Sequence, residues 1–150
     1  MAVDDWLIVR VELIAGSGEA IDPSPGRDLL VSPTHSLLEF AVAIDSGFAR
    51  WDLGHLHLFR LPGGETYMLG GDEEDPDVPS TESTRFGDLG LTKGTKFEYV
   101  FDLGDEWVHR CEVQAVRVDP EDAFGDVPPG PVPLFGWGTI PDQYGRTMPD

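Results

Sequence analysis

The chain has 150 residues and a formal net charge of −18, from 28 acidic and 10 basic residues. This length is most simply one domain, long enough to bury a sizeable core. Because a surface this negative repels phosphate backbones, direct and unaided binding to DNA or RNA is disfavoured; a metal cation, a basic partner protein or a neutral ligand fits the charge better.

Two strands are predicted near the start of the chain. Residues 6–15 alternate apolar and polar side chains, which is typical of a strand with one buried face. Residues 16–26 are rich in glycine, serine and proline and predict a connector. Residues 27–31 form a shorter apolar run, so we expect a second strand that pairs antiparallel with the first.

A helix is predicted after the second strand. Ser32 followed by Pro33 is a common helix start, because serine caps free backbone amides and proline suits the first helical position. Apolar residues then recur at steps of four, three and four, which gives one apolar stripe: Leu37, Ala41, Ile44 and Phe48. We expect this helix to lie across the sheet and to end at Ser46-Gly47.

Shorter elements are predicted in the middle of the chain. Residues 55–61 and 65–69 are predicted to be strands joined by a Pro-Gly-Gly turn. The acidic run 72–77 lacks the spacing of a calcium loop, so we interpret it as a solvated loop. Residues 86–91 predict either a short turn of helix or an extended crossing.

A β-hairpin with a Gly-Asp tip is predicted over residues 97–113. Aromatic residues at every second position of the first limb indicate a strand. The register that keeps apolar and charged faces separate pairs Phe101 with Trp107, Tyr99 with His109, Phe97 with Cys111, Val100 with Val108, Glu98 with Arg110 and Lys96 with Glu112. A slip of one residue would mix the two faces. We therefore expect the aromatic face to be core beneath the helix rather than a platform for stacking bases.

The composition changes after residue 118. Residues 119–133 are dominated by proline and glycine, so no regular structure is predicted there. The stretch that follows is too apolar for a free tail, and we expect Phe135, Trp137 and Ile140 to dock on the domain, with Tyr144 as a further candidate. The predicted organisation is an α+β domain over residues 1–118 and a docking C-terminal segment over residues 119–150.

The single cysteine limits the covalent chemistry. Cys111 permits neither an intramolecular disulfide nor a cysteine-rich zinc site, and on the aromatic face we expect a buried, inert thiol. The chain starts with acidic residues where a signal peptide would be basic, and no apolar run approaches membrane-spanning length. We therefore expect a cytoplasmic protein.

Two motifs resemble the plasmid pRiA4b ORF-3-like family. Residues 51–59 follow the pattern W-D-x-x-H-L-H-x-F, and residues 99–109 follow the more specific Y-x-F-D-L-G-D-x-W-x-H. The resemblance covers roughly residues 5–118. It implies an α+β fold with a mixed or antiparallel sheet and one packed helix, in strand-strand-helix-strands order and β-grasp-like.

The resemblance implies no particular activity. A transposon-resolvase label carried by some members lacks support here, since we find neither a recombinase catalytic motif nor a basic DNA-binding segment. Many members carry cysteines in a C-terminal Pro-Pro-Glu-Asp-Cys-Gly segment. The equivalent residues 140–145 contain no cysteine, so a metal role of those cysteines cannot transfer to this chain.

Three interpretations of the histidines and aspartates remain open. His55 and His57 lie two residues apart on a predicted strand, and with His109 and Asp105, or Asp102, they have the donor types of a divalent metal site. Alternatively, Asp102, Asp105 and His109 form an acid–base group. The favoured interpretation is structural, with both aspartates capping amides at the hairpin tip and His109 bonded across the strands.

The favoured functional hypothesis is a small, non-enzymatic binding or protein-interaction module without a cofactor. It would hold a ligand or partner in a groove formed by His57, Asp102, Asp105, Trp107 and His109. The alternative is a metal-dependent, hydrolase-like enzyme that uses His55, His57, His109 and a carboxylate. A third hypothesis is an accessory factor of a mobile element that acts through a basic partner protein.

Overall fold

An antiparallel sheet with one main helix on one face forms the architecture of the protein, an α+β fold. The computed structural model describes residues 5–50, 52–69 and 78–141. Within these residues the elements are β1 (Trp6–Gly16), β2 (Glu19–Ala20), β3 (Gly26–Val31), α1 (Leu37–Gly47), β4 (His57–Arg60), β5 (Thr66–Met68), a 3₁₀ turn (Phe86–Leu89), β6 (Lys96–Phe101), β7 (Trp107–Val118), α2 (Pro120–Phe124) and β8 (Val132–Trp137).

The eight described strands form one sheet in the order β5-β4-β6-β7-β1-β3-β8, with the short β2 paired to β1. Each neighbouring pair is antiparallel. The predicted pairing of the first two long strands is confirmed, since β1 pairs with β3. The hairpin register is also confirmed at all six predicted positions, from Lys96 opposite Glu112 to Phe101 opposite Trp107.

The start of helix α1 differs from the sequence prediction. Ser36, not Ser32, is the N-cap: its hydroxyl accepts a bond from the Glu39 amide, and the Glu39 carboxylate accepts one from the Ser36 amide, both at 3.0 Å. This reciprocal pair is a capping box, which satisfies two amides that the first turn leaves unbonded. Ser32 instead closes a turn with His35, whose amide donates to the Ser32 carbonyl oxygen. The predicted helix end at Gly47 is confirmed.

The core lies between α1 and the facing side of the sheet. Phe40 on α1 contacts Phe59, Phe86 and Phe97, with ring centroids 4.8–6.3 Å apart. Alternate residues of β1, β6 and β7 point to the same side and are buried, which explains the period-two pattern of the sequence. Cys111 is fully buried in this layer, as predicted, and burial raises the pKa of its thiol.

The C-terminal segment is more regular than its composition predicts. Asp119 caps α2 through the Glu121 amide, with Pro120 in the first turn, and β8 adds a strand beside β3. Ile140 packs against the core, but Phe135 is 65% exposed, so its predicted docking is wrong. Asp28, the residue opposite Phe135, belongs to the sheet face turned away from α1, and Phe135 shares that face. Tyr144 and the acidic run 72–77 lie outside the described residues.

No helix in the described ranges has both the length and the apolar character needed to cross a bilayer.

Replacement of Gly16 by alanine should destabilise the fold. The Trp107 indole lies against Gly16, and an added Cβ would sit 2.1 Å from Trp107 Cε3. Overpacking of this kind costs about 1–3 kcal/mol, which urea unfolding would measure. Gly130→Ala is the matched control, because its Cβ would meet nothing within 4 Å. Equal unfolding free energies for the two variants would contradict the packing argument.

Candidate functional site

The hairpin tip, which here means residues 102–106 together with the adjoining loop 52–56, is held by Asp102. Its backbone is left-handed, with φ of 64°, and its Oδ1 accepts bonds from the amides of Gly104 (3.1 Å) and Asp105 (3.3 Å). This is an Asx turn, in which a side-chain carboxylate replaces a backbone carbonyl as hydrogen-bond acceptor. Asp105 is half-buried, and its carbonyl oxygen accepts from the Ser17 amide at 2.8 Å. The two aspartates therefore sit at one end of the sheet.

The loop that precedes β4 forms the second part of this tip and packs beside residues 102–106. His55 lies with Nδ1 3.5 Å from Asp102 Oδ2 and Nε2 3.4 Å from Asp52 Oδ2, so its ring is placed between two carboxylates. The Asp102 amide donates to the Leu56 carbonyl oxygen at 2.9 Å. The two sequence motifs are thus neighbours at the tip, where Leu53 and Leu56 are 56% and 53% exposed.

His57 and His109 lie in the interior rather than at the tip. His57 Nε2 is 2.9 Å from the hydroxyl of the fully buried Thr81, and burial lowers the His57 pKa to about 4. His109 is fully buried, with Nδ1 3.0 Å from the Tyr99 carbonyl oxygen and Nε2 2.8 Å from Arg50 Nη2. Because a guanidinium only donates, Nε2 must accept and the proton must lie on Nδ1. Burial, and then the Arg50 charge, lower the His109 pKa well below its ordinary value.

A buried ionic network joins helix α1 to strands β6 and β7. The Tyr99 hydroxyl donates its one proton to the carboxylate of Asp45 on α1, with both carboxylate oxygens 2.9 Å away, and Asp45 Oδ1 lies 3.3 Å from Arg50 Nη1. Burial raises the Asp45 pKa to about 6, although Arg50 and Tyr99 both act to lower it. The Arg50 guanidinium also lies 5.1–5.9 Å from the centroids of three aromatic rings: Phe48, Phe101 and Trp107. This arrangement satisfies a cation that would otherwise be costly to bury.

Sequence reasoning missed this network. One signal was present: Asp45 follows Leu37 and Ala41 at helical spacing, so a carboxylate interrupts the apolar stripe. Its cationic partner was not visible, because Arg50 reaches Asp45 only after the chain turns at Ala49, whose φ is 55°.

Trp107 is buried at the edge of the same network. Its Nε1–H has no hydrogen-bond acceptor in the described part of the chain. A cavity of about 10 Å³ borders it, which is room for about one water molecule. The lining side chains come from the sheet, the helix end and the C-terminal segment: Leu13, Phe48, Arg50, Trp107, Ile140 and Pro141.

The predicted site residues therefore separate into two groups. Asp102, Asp105 and His55 lie at the hairpin tip, whereas His57, His109 and Trp107 are buried. Within the described ranges, no three or more histidine, cysteine, aspartate or glutamate side chains are grouped so as to hold a metal ion. The rings of His57 and His109 instead both adjoin the Tyr99 ring, at centroid distances of 5.6 and 5.2 Å.

These features define the class of protein: an α+β domain with an antiparallel sheet, one main helix that covers it and an ionic network buried between the two. The chain belongs to the plasmid pRiA4b ORF-3-like protein family, whose model matches residues 9–129. The resemblance of the two motifs is thereby confirmed. A search of curated proteins returns no match.

A solved structure shares the fold. It is the crystal structure of a protein of unknown function from Methanosarcina mazei Go1, with 21% sequence identity and a TM-score of 0.62. The match covers 75% of this chain and 61% of that protein, so the chain spans about three fifths of its length. At this identity the likeness concerns the fold alone.

Acid should destabilise the protein through His57. Its pKa is about 4 in the folded state and about 6.5 in the unfolded chain. The unfolded chain therefore takes up the proton first as pH falls. Between pH 7 and pH 5 this costs about 2 kcal/mol of stability, and His57→Gln should abolish that part of the loss in urea unfolding.

The difference in pH-dependent stability between the wild type and His57→Gln reports on His57. Asp45 is present in both proteins, and its raised pKa has the opposite effect on the pH dependence. Thr81→Val is the control, because it keeps the buried imidazole and should retain the acid sensitivity. A wild-type-like pH profile in His57→Gln would refute the assignment.

Breaking the buried ion pair should cost far more than breaking a surface one. Arg50→Met leaves the Asp45 carboxylate buried and unpaired, which should reduce the free energy of unfolding by about 3–5 kcal/mol. The double variant Asp45→Asn/Arg50→Met should recover a large part of this loss. Arg60→Met is the matched control, because its pair with Glu98 is exposed and worth less than about 1 kcal/mol. Additive effects in the double variant would contradict the coupling.

Proposed function

We propose that this domain is a non-enzymatic protein-interaction module and that the hairpin tip, defined as residues 52–56 with 102–106, is its contact surface. The observation that carries the proposal is the pair of leucines at the tip, Leu53 and Leu56, each more than half exposed beside carboxylates. Exposed apolar side chains next to fixed charges are typical of contact surfaces.

The charge of the tip selects the kind of partner. The two segments of the tip also contain Asp52, Asp102, Asp105 and Glu106, and the whole chain carries −18. A partner segment with apolar side chains flanked by lysine or arginine would complement both features, and the net charge would accelerate its association.

The buried histidines support the non-enzymatic part of the proposal. A general base must reach the proton that it abstracts. His57 and His109 are instead buried and bonded to Thr81 and Arg50.

Three further assignments belong to the same proposal. A β-grasp-like relationship is supported by the position of the main helix, α1, in the chain. It follows β1–β3 and precedes β4–β8, and all of these strands belong to one sheet. A cytoplasmic location is supported by the single cysteine, Cys111, which is a buried free thiol. Association with a mobile element is supported by the plasmid origin in the family's name.

The tip should be required for recovery of a protein partner. In pull-downs from the native host, the wild type and Val42→Ser should recover the same partner, whereas Leu53→Ser/Leu56→Ser should lose it. Val42 is the matched control, because it is 53% exposed on helix α1. Equal recovery by all three proteins would exclude the tip as the contact surface, and recovery of no saturable partner by the wild type would refute the interaction module.

A further inference from the structure

The sheet is closed differently at its two edges. At β5, the segment 79–81 runs alongside Met68, whose amide and carbonyl bond to Pro79 and Thr81 at 3.1 and 3.0 Å. At the other edge, β3 is covered by β8, which comes from the C-terminal segment. The family match ends at residue 129, before β8 begins. The strand that covers β3 therefore lies beyond the region that the family model matches.

Strand β8 contributes little to the core. None of its six residues is fully buried, and it follows a proline- and glycine-rich connector, residues 125–131, without regular structure. Most of its attachment is therefore backbone pairing with β3, which holds over five residue pairs with one irregularity between Asp28 and Leu29. Attachment through main-chain bonds at a sheet edge is how extended peptides bind to many domains.

Side chains nevertheless fit β8 to β3 in a specific way. On one face the Trp137 ring lies over Gly26, where an added Cβ would be 2.2 Å from the ring. On the opposite face Arg27 lies across Gly136, where an added Cβ would be 2.6 Å from the arginine side chain. Each strand therefore provides a glycine that receives the large side chain of the other.

Two arginines complete this contact. Arg27 Nη1 donates to the Trp137 carbonyl oxygen at 3.0 Å, and its Nε donates to the Gly47 carbonyl oxygen at the end of α1. The Arg10 guanidinium lies 4.9 Å from the centroid of the Trp137 ring. A tryptophan that rests on glycine and contacts a cation is an anchor of the kind found at the centre of peptide contacts.

From this geometry we infer that the edge of β3 is a strand-binding site, which β8 occupies in cis and which accepts an extended segment of another protein with the pattern aromatic-Gly-Trp-Gly. A second copy of this chain is a poor partner, since two chains of charge −18 repel each other. The same charge favours a segment flanked by lysine or arginine. The site is separate from the hairpin tip, so its failure would leave the tip proposal intact.

The probe for this site is a fluorescent synthetic peptide with the sequence of residues 130–140, measured by anisotropy against the full chain. The tethered β8 competes at a millimolar effective concentration, so the wild type should bind the peptide weakly. Trp137→Ala in the full chain removes the anchor of the competitor. It should raise the peptide affinity by about tenfold or more.

Two controls identify the contact. Adding Gly26→Val to the Trp137→Ala chain should abolish binding, because the new side chain occupies the place of the tryptophan ring. Leu53→Ser/Leu56→Ser in the same background should bind as tightly as Trp137→Ala alone. Circular dichroism and urea unfolding would verify that each variant is folded.

Three results would overturn the inference. The first is no peptide binding to the folded Trp137→Ala chain. The second is equal binding of a peptide in which the tryptophan is replaced by alanine. The third is a wild-type dimer in light scattering that the peptide dissociates, since the occupant would then be a second copy and not another protein.

Discussion

The buried guanidinium of Arg50 is the constraint on which the rest of the structure depends. A cation removed from water is stable only when acceptors and rings surround it, and here these come from both layers of the fold. Asp45 supplies the carboxylate from α1, and His109 supplies a ring nitrogen from β7. Because Nε2 of His109 must accept, its Nδ1 donates to the Tyr99 carbonyl oxygen, which fixes the imidazole against β6. One cation thus sets the relative position of the helix and two strands.

The charged side chains outside this network are distributed unevenly over the surface. On the sheet face turned away from α1, basic and acidic residues alternate across neighbouring strands in two rows: Arg60-Glu98-Arg110-Glu12 and Lys96-Glu112-Arg10-Asp28. These rows are balanced in charge, so the negative charge of the chain is concentrated elsewhere, including the hairpin tip. The tip therefore combines excess negative charge with exposed leucines. The two charge-balanced rows do not have this combination.

The features that could be predicted from the sequence are those that local residue patterns determine. The β6–β7 register followed from period-two aromatics and from opposite charges that face each other, both of which are visible within seventeen residues. The predicted helix start at Ser32-Pro33 is wrong, because the capping box of Ser36 and Glu39 begins the helix instead. The Asp45–Arg50 pair could not be predicted, since it depends on a left-handed residue and on strands distant in sequence. Strand β8 was missed because its pairing with β3 is long-range and its proline and glycine content masks the strand pattern.

The two candidate surfaces differ in how they relate to the family. The hairpin tip lies inside the matched region and contains the more specific of the two motifs, so a role for the tip would extend to other members that carry it. The β3 edge is different, because the strand that covers it lies beyond that region. The glycines at 26 and 136 have meaning only when β8 or an equivalent strand is present, since each makes room for a side chain of the opposite strand. A function at the tip would therefore rest on the region that the family model matches, whereas a function at this edge would rest on a strand beyond it.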